Sequence, residues 1–142
     1  MKIIFLDIDG VLNNDHTKER FVNFIGVDAR LRDMFLNWLK LHDHDIILSS
    51  SWRIPTAFGN FKEELKRNGI YWIDETPQLP GLGRGEEIEV CINRHNPKKY
   101  VILDDMGPTE FKKYQRPFLV QTSAIKGLEP KKLARMDQLL SD

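Results

Sequence analysis

Three short apolar runs, far apart in the chain, each end abruptly on polar side chains. Lys2 to Ile8 reads Lys-Ile-Ile-Phe-Leu-Asp-Ile, and its end carries Asp7-Ile8-Asp9-Gly10. Ile46-Ile47-Leu48 runs into Ser49-Ser50-Ser51, and Tyr100-Val101-Ile102-Leu103 stops at Asp104-Asp105. Continuous β-branched runs of this length suit strands buried on both faces, as in parallel sheets covered by helices.

The intervening segments fit that architecture. Asp28 can cap a helix from about Ala29 to Leu41, with Leu31, Met34, Phe35, Trp38 and Leu39 on one face. Phe61 to Arg67 reads as a second helix, closed by Asn68-Gly69. Ile70 to Ile73 resembles a third strand, and Pro77, Pro80, Gly81, Gly83 and Gly85 mark a loop. A helix from about Arg84 to Arg94 turns Ile88, Cys91 and Ile92 inward. Phe118 to Val120 is the last strand, and Pro130 opens a closing helix with Leu133, Met136 and Leu140 inward. Residues 11–27 show no sustained period and are expected to form a loop or small flap. Alternation of this kind predicts an α/β fold: a three-layer, doubly wound, mostly parallel sheet with helices on both faces, as one domain over residues 1–142.

Composition narrows the classes. The chain has 142 residues, enough for one packed core, and 21 basic side chains balance 21 acidic ones. A protein held to nucleic acid chiefly through phosphates usually carries a basic excess, so any such contact here must be local. The single cysteine, Cys91, excludes an internal disulfide. An acidic pair interrupts the N-terminal apolar run too early for a secretory segment, and no stretch nears the roughly 18 apolar residues of a membrane span. The expectation is a cytoplasmic, reduced protein with no membrane partner.

Open α/β sheets bind ligands beyond the carboxyl ends of their strands. The three polar clusters should therefore meet in space. Each aspartate alone reads as a solvated loop residue, but two acidic pairs that both end hydrophobic strands do not. Asp7, Asp9, Asp104 and Asp105 would crowd four carboxylates into one small volume. Their mutual repulsion calls for a hard cation, and all-oxygen ligation favours Mg2+.

Asp-Ile-Asp-Gly-Val-Leu-Asn after a buried strand resembles the first motif of the haloacid dehalogenase (HAD) superfamily. Ile-Ile-Leu-Ser-Ser-Ser-Trp-Arg resembles its second, and Tyr-Val-Ile-Leu-Asp-Asp its fourth, all in the family's order. The Ser-Ser-Ser-Trp-Arg and Gly-Arg-Gly-Glu-Glu-Ile stretches look closest to small HAD domains of RNA-repair proteins.

The resemblance implies a Rossmann-like fold and a phosphatase with an aspartyl-phosphate intermediate. Asp7 would be the nucleophile and Asp9 the acid and then the base. The Asp7 carboxylate, the Asp9 carbonyl, Asp104 and Asp105 would hold Mg2+, with the order of Asp104 and Asp105 open. Ser49 matches the position that holds the phosphoryl oxygens, with Ser50 as the alternative register; a helix cap is the structural role open to both. The third motif is usually a lysine, and none lies between Lys66 and Lys98. Arg84 is the candidate there, against an ordinary surface arginine. Arg53 could reach a substrate phosphate. Trp52 could stack on a base or pack in the core, and Asn13 and Asn14 could line the entrance or serve turns.

Neither the Asp7–Ser49 nor the Ser49–Arg84 interval has room for a cap domain. Uncapped sites of this superfamily tend to serve large substrates. The first expectation is thus phosphomonoester hydrolysis on a phosphorylated nucleic-acid end. Two alternatives stay open: a phosphatase for nucleotides or other small molecules, and a catalytically silent phosphate-binding module. The sequence leaves the oligomeric state open.

Overall fold

The computed structural model describes all 142 residues. Its elements run β1 (Lys2–Leu6), a hairpin of β2 (Arg20–Phe21) and β3 (Phe24–Ile25), α1 (Ala29–Leu39), β4 (Asp45–Leu48), α2 (Phe61–Arg67), β5 (Asp74–Glu75), α3 (Arg84–His95), β6 (Lys99–Asp104), β7 (Leu119–Gln121) and α4 (Pro130–Leu140). The main sheet is parallel throughout, in the order β5-β4-β1-β6-β7. The first strand lies at its centre, so the chain winds outward in both directions from β1.

Alternate residues of each central strand face opposite layers. Ile4, Leu6, Ile46, Leu48, Val101 and Leu103 join Phe35 and Trp38 of α1, Leu65 of α2 and Leu133, Met136 and Leu140 of α4 in the larger core cluster. Ile3, Phe5, Ile47 and Ile102 meet Ile88 and Cys91 of α3 in a smaller one. That division makes the three layers expected from the alternation of strands and helices. No helix is long and apolar enough to cross a membrane.

Two expectations shift. The third strand is Asp74–Glu75, not Ile70–Ile73. Ile70 is buried in the larger cluster, but Tyr71 and Ile73 stand exposed. As an edge strand β5 tolerates acidic side chains, which neighbouring helices satisfy: Arg94 of α3 donates to Asp74 at 2.7 Å, and Lys62 of α2 to Glu75 at 3.1 Å. A search for apolar runs cannot find a strand of that kind. The unpatterned segment after β1 contains the β2–β3 hairpin, which stands apart from the sheet as a small flap. Between β1 and β4 the chain adds only this flap and α1, so no cap domain is present.

Helix α3 attaches to the sheet through few buried apolar side chains, with Ile88 at their centre. Ile88→Ala is expected to cost about 2–5 kcal/mol, measured by urea unfolding.

Candidate active site

The register of the sheet assembles the site. Phe5 pairs with Ile47 on one side and with Ile102 on the other. Two residues further along, on the same face, stand Asp7, Ser49 and Asp104. The ladder continues to that level, because Asp7 N–H donates to Leu103 O (3.0 Å) and Ser49 N–H to Leu6 O (2.9 Å). All three residues are buried. They extend the rows that α3 covers, so the first residue of α3, Arg84, arrives above them.

Arg84 joins the cluster directly. Its Nη1 donates to Asp104 Oδ2 at 2.9 Å and lies 3.4 Å from Asp7 Oδ1, with the side chain only 12% exposed. A glutamate at the third helical position accepts from the Gly83 N–H (2.9 Å), which fixes the start of the helix. The reading of Arg84 as surface residue is thereby set aside.

Asp7, Asp104 and Asp105 bring one carboxylate oxygen each within 4.8 Å of the others. Burial pushes the Asp7 carboxyl well above the usual carboxylate range; Asp104 adds to the rise, and Arg84 opposes it. Asp105 is raised as well, by burial and then by Asp104. Burial works against the charged form of Arg84, but Asp7 and Asp104 outweigh it and its pKa rises. When ionised, three carboxylates against one guanidinium leave two negative charges uncompensated. An all-oxygen donor set with that deficit suits a hard divalent cation, so the residues present fit a metal. The Asp9 carboxylate is not in this group.

Asp9 is held apart by two donors on one oxygen. Asn13 Nδ2 donates to Asp9 Oδ1 at 2.9 Å, and Trp52 Nε1 donates to the same atom at 3.1 Å. Both bonds leave Oδ2 available for a proton. Asn13 is fixed in turn: its Oδ1 accepts from Gly10 N–H, and its Nδ2 also donates to Gly26 O. Asn14 serves the loop, accepting from His16 N–H and donating to Lys126 O. The buried Trp52 ring packs edge-on against Phe61, so of the two roles open to it the structure gives packing, together with a bond to Asp9.

Gly10 adopts φ +77°, and a Cβ there would overlap the Asp105 carboxylate, whose Cγ lies 2.6 Å away. The first loop and the acidic pair of β6 can approach each other only because position 10 has no side chain.

The serines separate. Ser50 caps a short 3₁₀ turn over Ser51–Arg53, its Oγ accepting from Trp52 N–H at 3.1 Å. Ser49 Oγ is buried and has no hydrogen-bond partner within the protein. Of the two registers, Ser49 therefore has the free hydroxyl beside Asp7. Thr76, one step past β5, is a further buried hydroxyl without a partner; nothing in the sequence distinguishes it from a loop threonine.

Arg53 is engaged within the protein. It is 5% exposed and donates to Thr76 O (2.8 Å), Ser50 O (2.8 Å), Pro77 O (3.3 Å) and Glu87 Oε1 (3.2 Å). Its guanidinium ties the serine loop to the segment after β5 and to α3, and it borders the same cavity as Arg84.

A family model described as HAD domain in Swiss Army Knife RNA repair proteins matches residues 3–133. The match bears out the resemblance carried by the three motifs, including its leaning towards RNA-repair domains. No curated protein and no solved structure matches the chain significantly.

Arg53→Ala should destabilise the fold by about 1–3 kcal/mol, because Thr76 O and Pro77 O lose their donor and Glu87 loses its cation. Gly10→Ala should cost at least about 1 kcal/mol more than Gly81→Ala. Both glycines have positive φ, but nothing lies near a Cβ at position 81. Denaturant titration of each variant checks both expectations.

Proposed function

The chain belongs to the family of HAD domains in Swiss Army Knife RNA repair proteins, and from that premise we propose that it is a magnesium-dependent phosphatase acting on phosphorylated nucleic-acid ends through a covalent intermediate on Asp7. The observation that carries the reading is the gathering of Asp7, Asp104, Asp105 and Arg84 at the carboxyl edge of the sheet. A carboxylate nucleophile, a cation-binding pair and a guanidinium are the parts that phosphoryl transfer requires.

In the first half-reaction an Asp7 oxygen attacks phosphorus as the bond to the leaving oxygen breaks. Asp9, through its unengaged Oδ2, gives that oxygen a proton and releases the alcohol. In the second, Asp9 takes a proton from water as the water attacks phosphorus and the bond to Asp7 breaks. Inorganic phosphate leaves, and both aspartates return to their starting states. Trp52 and Asn13 aim Asp9 by holding Oδ1. The Ser49 hydroxyl and the Arg84 guanidinium neutralise and orient the phosphoryl oxygens. Magnesium held by Asp7, Asp104 and Asp105, with the Asp9 carbonyl, would shield the incoming phosphate from the carboxylates and polarise its oxygens.

The absence of a cap favours a long substrate, and the family's description favours RNA repair. The test is a phosphatase screen with magnesium or with EDTA, using 3′- and 5′-phosphorylated RNA and DNA strands, mononucleotides and acetyl phosphate. Release of phosphate from strand ends in preference to mononucleotides is expected, strongest for the 3′-phosphate. EDTA should abolish it, and Asp7→Asn should lower kcat by about three orders of magnitude or more. No hydrolysis of any phosphate would leave a silent phosphate-binding module. Preference for mononucleotides would leave a small-molecule phosphatase.

Trp52→Phe keeps most of the ring packing and removes the donor to Asp9. It should lower kcat with little change in KM, read from steady-state kinetics on one strand.

A further inference from the structure

Beside Asp9 a cavity of about 590 Å³ opens between the β2–β3 hairpin and the loop leading into α2. Its walls are mostly apolar, with Phe24 and Ile25 from the hairpin and Ile54, Phe58 and Phe61 from the other side. Phe24 lies edge-on to Phe58 and Phe61, with ring centroids 6.1 and 5.6 Å apart. These rings are not absorbed into the core: Phe24 is 45% exposed and Phe58 69% exposed. Large aromatic surface left open beside a polar site marks a place for a ligand.

We propose that this cavity is the subsite for the leaving group, and that its occupant is the terminal base of the nucleic-acid strand. The assignment rests on the phosphatase reading above, in which Asp9 protonates the leaving oxygen. Asp9 is itself part of the cavity wall. Whatever fills the cavity is therefore attached on the leaving-group side of phosphorus, not the phosphoryl side. A serine or threonine side chain offers no flat face to these rings. A nucleobase is flat, enters the cavity with room to spare, and offers a π-face to Phe24 or Phe58 whatever its identity. Stacking without base-specific donors gives recognition of an end regardless of sequence. Phe24 and Phe58 sit on separate segments, the hairpin and the α2 loop, and touch edge-to-face, so a base stacks on the open face of one ring instead of between the two. The hairpin is seated against the loop where Gly59 lets the rings approach: a Cβ there would lie 3.0–3.2 Å from Val22 and Phe21.

The experiment compares two 3′-phosphorylated strands identical except that the terminal nucleotide of one is abasic. Phosphate release is measured with the native chain, and equilibrium binding in magnesium with Asp7→Asn. The base-bearing strand should be preferred about tenfold or more in both measurements. In Phe24→Ala and Phe58→Ala, both substitutions of exposed rings, that ratio should fall towards one. Equal handling of the two strands by the native chain overturns the subsite, as does a ratio that survives both substitutions. Faster turnover of a phosphotyrosine peptide than of the base-bearing strand also overturns it, in favour of a protein substrate. If the native chain hydrolyses neither strand, the phosphatase reading fails. The Asp7→Asn binding ratio then decides the base subsite alone: a preference supports it, and equal binding overturns it.

Discussion

The contact on which the rest of the site depends is the one between Arg84 and the two buried aspartates beneath it. Asp7 and Asp104 stand on neighbouring strands at the same level of the sheet, where burial and the charge of Asp104 push Asp7 towards its protonated form. A guanidinium at 2.9 and 3.4 Å is what keeps them in one place. It touches both through one nitrogen, Nη1, which carries two N–H groups. The position of Arg84 depends in turn on α3, and α3 on Ile88 and Cys91 packed over Phe5, Ile47 and Ile102. Apolar packing on one face of the sheet thus positions the charge at its edge.

Around that contact the chain builds supports instead of further reactive groups. Arg53 secures the serine loop. Asn13 and Trp52 converge on a single oxygen of Asp9 and leave the other free. Gly10 permits the first loop to close against Asp105, and Thr122 fixes that loop from another side through a hydroxyl bond to Gly10 O. The proposed acid–base role of Asp9 benefits from such restraint, since its geometry is set before a substrate arrives. The same indole that aims Asp9 packs against Phe61 and borders the apolar cavity, so the protonation site and the proposed base subsite share a wall.

Much of this was legible in the sequence because it rests on local pattern. Buried parallel strands announce themselves as short β-branched runs, and the polar residues that end them mark the ligand edge. Arg84 could be picked out because a basic residue was needed in that interval and no lysine was there. Other features left no such mark. Strand β5 is two acidic residues, and its pairing comes from the neighbour it lies against, not from its own hydrophobicity. Arg53 and Arg84 are both basic residues near polar motifs. That Arg84 meets Asp7 and Asp104 while Arg53 is bound by carbonyls and a glutamate follows from segments more than 20 residues away from Arg53.

The sequence by itself determined the fold class, the family and the set of acidic residues at the strand ends, because periodicity and motif order are properties of the chain. Only the tertiary structure decided how those residues divide the work. Side-chain alternation in a sheet turns a register into a choice of face, and that choice put Ser49 beside Asp7 while Ser50 became a cap. The flap aromatics gained a possible role in the same way: Phe24 and Phe58 are ordinary hydrophobic residues until two loops bring them together next to Asp9. Distances between segments remote along the chain are fixed by packing, and packing is what a linear pattern does not contain.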